Sequence, residues 1–90
     1  MARRIEKKTW PDYFKLVKSG KKNFDLRIND FRANEGDILV LKEYDPKKKE
    51  YTGRVIEKKI TYVGKFKIDK MFWPKKDILE KGLLVISLKD

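Results

Sequence analysis

The chain contains no cysteine and no histidine. Without a thiol it can form no disulfide, no thiolate nucleophile and no cysteine-ligated metal site. Without an imidazole it has no serine-histidine-aspartate triad, and ordinary zinc sites lose their usual ligands. Hydrolytic chemistry would fall to lysine, carboxylates, tyrosine or hydroxyl groups, and nothing in the sequence calls for a metal or a cofactor. Proline (3) and glycine (5) are scarce, and no repeat or low-complexity linker divides the chain. No apolar run approaches the roughly 20 residues that cross a bilayer. The basic Met1-Ala2-Arg3-Arg4 is followed by Ile5-Glu6-Lys7-Lys8, where a signal peptide would be apolar. The expectation is a cytoplasmic protein with no membrane partner.

The sequence is rich in charge. Its 24 Lys and Arg outnumber 14 Asp and Glu, for a net charge of +10 and a pI near 9.8. That bias favours RNA, DNA or nucleotides as partners, although a lysine- and glutamate-rich surface also serves solubility and is common in hyperthermophile proteins. Hydrophobic residues make up 40% of the 90 positions, which is enough for one folded domain spanning 1–90 with a thin core. A monomer is the default.

Local patterns outline the elements. Residues 3 to 8 suggest a short edge strand. Thr9 as N-cap, Pro11 in the first turn and Asp12 at the third helical position predict a helix start. Trp10, Tyr13, Phe14 and Val17 recur at helical spacing as a core face, and Ser19-Gly20 closes the helix. Phe24, Leu26 and Ile28 then alternate with Asn23, Asp25 and Arg27, which predicts a strand. A loop through Glu35-Gly36-Asp37 leads to the unbroken apolar run Ile38-Leu39-Val40-Leu41, expected as a central strand. Lys42-Glu43-Tyr44 carries that strand back towards solvent, into the polar turn Asp45-Pro46-Lys47-Lys48-Lys49-Glu50. Tyr51 to Val63 reads as one long strand, or two, with a bulge where the apolar parity changes. A short helix over Pro74 to Lys81 closes at Gly82, and Leu83 to Leu88 is expected as a final buried strand. The elements do not alternate as βαβ units do. They suggest an α+β domain with a curved mixed sheet or small open β-barrel, one main helix and one minor helix.

The segment Gly20-x-Lys22-x-x-Asp25-x-Arg27 resembles the G-x-K-x-x-E-x-R signature of the ASCH superfamily, which has a PUA-like fold. The likeness extends in order through Trp10-Pro11, Tyr13-Phe14, Gly20-Lys21-Lys22, Arg27-Ile28-Asn29-Asp30, Gly36-Asp37 and Tyr51-Thr52-Gly53-Arg54. It therefore spans about residues 5 to 63, and it implies the fold more specifically than the function. Relatives often carry a histidine where this chain has Ile5. The superfamily's deacetylase of N4-acetylcytidine is described as using a lysine, a threonine nucleophile and a glutamate. By the resemblance the lysine falls on Lys22, but the threonine falls on Asp25. A carboxylate attacking an amide would give an anhydride, a poor route for deacetylation.

Asp25 and Arg27, two apart, share a strand face with Asn23. Together they offer an acceptor, a fork of donors and an amide, which can read a base edge or hold a phosphate. The same residues would equally make an ordinary ion pair. Strict alternation puts Lys22 on the other face. Tyr44, Tyr51 and Trp73 are the better surface candidates for base stacking, and Lys47-Lys48-Lys49 could add phosphate contacts.

The leading expectation is thus an RNA- or nucleotide-binding module. Its interface would be drawn from Lys21, Lys22, Asn23, Asp25, Arg27, Asn29, Tyr44 and Arg54, around a cleft between the first helix and the sheet. The rival is a hydrolase of an N-acylated nucleoside, with Lys22 and Asp25 as the reacting pair and Glu57 or Glu43 as the third group. A third reading is a protein-interaction module.

Overall fold

The computed structural model describes residues 2–88. In chain order it contains strand β1 (Arg4–Thr9), helix α1 (Pro11–Lys18), strand β2 (Ile38–Asp45), strand β3 (Glu50–Lys59), a 3-10 turn (Ile68–Lys70) and helix α2 (Lys75–Lys81). The strands form an open three-stranded sheet in the order β1-β2-β3. β1 runs parallel to β2, from Arg4 opposite Ile38 to Thr9 opposite Glu43, and β3 is antiparallel to β2. The protein is a small α+β fold with a mixed sheet and two helices. The sheet does not close into a barrel, which needs more strands than the three paired here. Contrary to the sequence reading, β1, α1 and β2 do make one parallel crossover of the βαβ kind.

The apolar run Ile38 to Leu41 occupies the central strand, as its pattern predicts. Helix α1 packs on β2, and the buried hydrophobic residues are Phe14 and Val17 of α1, Val40 and Leu41 of β2, and Ile78 of α2. The helix begins at Pro11 with Trp10 as N-cap and no side-chain cap hydrogen bond. Thr9 is instead the buried last residue of β1. Trp10, expected in the core, is half-exposed and stacks on Tyr13 at 6.5 Å. Gly20 takes the left-handed conformation that the end of the helix requires (φ 85°).

Four further expectations are corrected. Residues 23 to 28 form no strand, because no neighbouring strand offers a ladder to them. From Asp25 onward the alternation persists but is inverted: Asp25 and Arg27 turn inward, whereas Leu26 and Ile28 are 76% and 80% exposed. Glu43 does not lead towards solvent but is buried. β3 stops at Lys59, although the ladder direction continues briefly through hydrogen bonds from the Gly36 N–H to the Ile60 carbonyl and from the Ile60 N–H to the Asp37 carbonyl, both 2.8 Å. Residues 83 to 88 are not a buried strand: they lie outside regular secondary structure and are exposed. Among the described residues no helix is long and apolar enough to cross a membrane.

Candidate nucleic-acid interface

Strand register sorts the side chains onto two faces. Residues paired across neighbouring strands point to the same side, and successive residues point to opposite sides. Thr9, Leu41 and Glu43 therefore share the face that α1 covers. Glu6, Lys8, Val40, Lys42, Tyr44, Tyr51 and Glu57 share the other.

On the helix-covered face the central feature is Glu43. Between Lys42 and Tyr44 the register shifts, because Val55 and Tyr51 are the partners on β3 and three residues, Thr52, Gly53 and Arg54, stand opposite the single Glu43. Gly53 makes this bulge possible with φ 94°, a left-handed conformation that side chains resist. The bulge turns Thr52 and Arg54 together onto Glu43. The Arg54 Nε donates to Oε1 at 2.8 Å, its Nη2 donates to Oε2 at 2.7 Å, and the Thr52 hydroxyl donates to Oε1 at 2.6 Å. The Arg54 guanidinium, then the Thr52 hydroxyl and the charges of Arg54 and Lys18, outweigh desolvation and hold the Glu43 carboxyl down at about 2. Arg54 is correspondingly raised by Glu43, and its guanidinium carbon lies 5.1 Å from the Phe14 ring centroid. The run Tyr-Thr-Gly-Arg thus has a physical meaning: a bulge that clamps a buried carboxylate.

Beside this clamp is a second one. Arg27 is paired with Asp25 through Nε, and its Nη2 donates to the Lys8 carbonyl at 2.8 Å and to the Thr9 hydroxyl at 3.2 Å. These bonds fasten the loop after α1 to the C-terminal end of β1. Asp37 does similar work at the other end of the loop, accepting from the backbone N–H groups of Arg3 (3.1 Å) and Asn34 (3.0 Å). Those two donors place its carboxyl below the usual range. Among the described residues no buried side-chain polar atom lacks a partner.

The sequence-derived candidates therefore separate. Asp25 and Arg27 are spent on tethering the loop, with side chains only 19% and 25% exposed. Lys22 lies with Nζ 4.8 Å from the Tyr13 ring and 5.3 Å from that of Phe24. Asn23 and Asn29 are exposed loop residues. Glu57 is bound by both Arg4 nitrogens on the opposite face of the sheet, and Arg4 lowers its pKa. Lys22, Asp25 and Glu57 are thus engaged with three different partners rather than gathered as a reacting trio.

Lys21 and Arg54 do come together. With Asp12, Lys15, Leu16, Lys18 and Ser19 they line an open groove of about 830 Å³ along the C-terminal half of α1. Lys15 and Lys18 were missed by sequence reasoning. Their three-residue spacing on the helix places them side by side, but only the fold reveals that Arg54 reaches the same groove. Tyr44 belongs to the other face, where it meets Tyr51 edge to face at 5.2 Å. Among the described residues no group of three or more His, Cys, Asp or Glu side chains is arranged to hold a metal.

Taken together, an open mixed sheet, one covering helix and a loop tied down by arginine-carboxylate clamps define a small α+β domain with a cationic groove at the end of its helix. The chain belongs to the family described as a domain of unknown function (DUF3850), whose pattern matches residues 6–73. No curated protein matches the sequence.

Proposed function

We propose that the protein is a nucleotide- or nucleic-acid-binding module of the ASCH, PUA-like type, acting in the cytoplasm, whose polyanionic partner lies in the groove of Lys15, Lys18, Lys21 and Arg54. The observation that carries this reading is the state of Arg54. Glu43 engages its Nε and Nη2 and fixes the guanidinium plane, whereas Nη1 has no partner among the described residues. A guanidinium held by two bonds presents its remaining donors in a fixed direction, and less ordering entropy is lost when they meet a phosphate oxygen. Because Glu43 offsets the charge of Arg54, the lysines supply the net attraction and Arg54 supplies direction. Asp12 is the one acid lining the groove.

Three lysine contacts to a single strand predict that log affinity falls with log salt at a slope of about −2, taking ~0.7 per contact. Fluorescence anisotropy of a labelled single-stranded RNA across a salt series measures it. The triple variant Lys15→Gln, Lys18→Gln and Lys21→Gln should flatten the slope to near zero. Absence of binding to RNA, DNA or nucleotides at low salt, or a slope unchanged in the triple variant, overturns the reading. Hydrolysis of an N-acylated nucleoside is the weaker alternative, since Asp25 is paired with Arg27 and Glu57 with Arg4.

A further inference from the structure

The face of the sheet that α1 leaves open carries a second arrangement. Tyr44 and Tyr51 are directly paired across β2 and β3, and their rings meet edge to face at 5.2 Å. Lysine ammonium groups lie over them: Lys8 Nζ is 4.4 Å from the Tyr44 centroid and Lys42 Nζ is 5.0 Å from that of Tyr51. Lys8 and Lys42 are themselves register partners, so two cations and two aromatic rings form one compact block. Tyr51 is 47% exposed and borders an open groove of about 250 Å³ with Glu6, Lys7, Lys8 and Lys42. Glu6 holds Lys42 at 3.3 Å. The Lys47-Lys48-Lys49 turn, exposed to solvent, closes the same end of the sheet.

We infer that this block is a stacking platform for the unpaired bases of a single-stranded nucleic acid. A lysine over a solvent-exposed tyrosine is a weak and mobile contact, whereas a base stacked on an aromatic ring gains substantially more affinity. A base therefore displaces the ammonium group, and the freed lysine turns to the adjoining phosphate. Lysine and ring are in effect pre-placed for the two halves of one nucleotide. A duplex, whose bases already stack on each other, offers no free face to the platform. The inference rests on the nucleic-acid reading of the groove for the identity of the polymer, but it concerns a different surface and a different chemistry: the groove meets phosphate, the platform meets bases. The two are linked through β3, because Tyr51 and Arg54 lie three residues apart on opposite faces of its end. β3 is also an outer strand, so a polymer draped over its unpaired edge reaches both.

The test compares three ligands of equal length by anisotropy: a single-stranded RNA, the corresponding duplex and an abasic strand with the same phosphates. The native chain should bind the base-bearing single strand at least ~10-fold more tightly than the abasic one. Tyr51→Leu should remove about that factor for the base-bearing strand, leave the abasic strand within twofold and leave the salt slope unchanged. Tyr51→Phe should restore binding, because a ring is needed and a hydroxyl is not. Equal affinity for base-bearing and abasic strands, or a Tyr51→Leu loss of the same size on both, overturns the platform while leaving the groove standing. Loss of salt-dependent binding altogether overturns the groove as well. Should Tyr51→Leu unfold, photocrosslinking of the unmodified protein to a 4-thiouridine strand decides the matter. Crosslinks to the peptide bearing Tyr44 or Tyr51 support the platform, and crosslinks confined to α1 refute it.

Discussion

Residues 60–88 are richer in apolar side chains than residues 4–59, with 15 of 29 positions against 19 of 56, yet they bury far fewer of them. In the first region Phe14 and Leu41 are each 1% exposed, held between a helix and a central strand with a neighbour on both sides. In the second, Phe72, Leu84 and Leu88 are 98%, 88% and 87% exposed, and Ile78 alone joins the buried set. The runs Ile38-Leu39-Val40-Leu41 and Leu83-Leu84-Val85-Ile86 look interchangeable on paper. What separates them is a partner: β2 has β1 and β3 beside it and α1 above it, whereas α2 packs against the 3-10 turn. Hydrophobicity sets the tendency to be buried, and topology decides whether there is anywhere to go.

The largest effect that would test this contrast is truncation of the core. Phe14→Ala or Leu41→Ala should cost about 3–5 kcal/mol through lost transfer energy and a cavity, against a total of roughly 5–13 kcal/mol for a chain of this length. Leu84→Ala and Leu88→Ala should stay within about 0.5 kcal/mol. Urea denaturation of the four variants gives the comparison. A loss above ~1 kcal/mol at Leu84 or Leu88 would break it, since a fully exposed leucine has no packing to lose.

The next effect sharpens the contrast within the first region, where polar clamps as well as apolar packing hold the fold. Glu43 titrates at about 2 in the folded protein, against an ordinary value of 4.5. A carboxyl whose folded pKa is depressed contributes stability that is complete above pH ~5 and is lost as the pH falls from 4.5 towards 2. Arg54→Met removes the largest cause of the depression while Glu43 stays buried. The variant should therefore melt several degrees below the native chain at neutral pH, and the gap should narrow as the pH falls from 4.5 towards 2, because the native chain then loses the contribution of its paired Glu43 carboxylate. Thermal melts by circular dichroism between pH 2 and 7 measure this. A gap that does not vary with pH would mean that the lost bonds matter only through packing of Arg54 on Phe14.

Much of the first region was legible in the sequence, because its signals are local. Pro11 after Trp10, the pairing of Phe14 with Val17, Gly20 at the helix end and the run from Ile38 are decided by neighbours within a few residues. The misreadings concern partners distant in sequence. Alternation from Asn23 to Ile28 is compatible with a strand, but Arg27 finds the end of β1 instead, 18 and 19 residues away. Glu43 reads as a solvent-bound residue until Arg54, 11 positions on, is folded over it. The groove lysines are unremarkable on a helix surface until that same arginine arrives. A change of apolar parity after Tyr51 did announce a bulge, yet the distortion lies earlier, at Thr52 to Arg54, where Gly53 permits it.

The smallest effect lies at the hairpin joining β2 to β3. Asp45 Oδ1 accepts from the N–H groups of Lys47 (2.9 Å) and Lys48 (3.2 Å), an arrangement that asparagine and aspartate favour in turns. The turn then forces Lys49 to φ 55°, where a side chain suffers contact with its own backbone. Gly53 meets a similar demand with no side chain, and Lys49 does not. Lys49→Gly relieves the strain but gives the unfolded chain more freedom, and the two effects offset in part. The net expectation is a gain of at most about 0.5–1 kcal/mol by urea denaturation. Lys49→Asn, which tolerates the left-handed region without glycine's entropy, should gain a similar amount. A loss in both variants would mean that Lys49 makes a contact worth more than its strain.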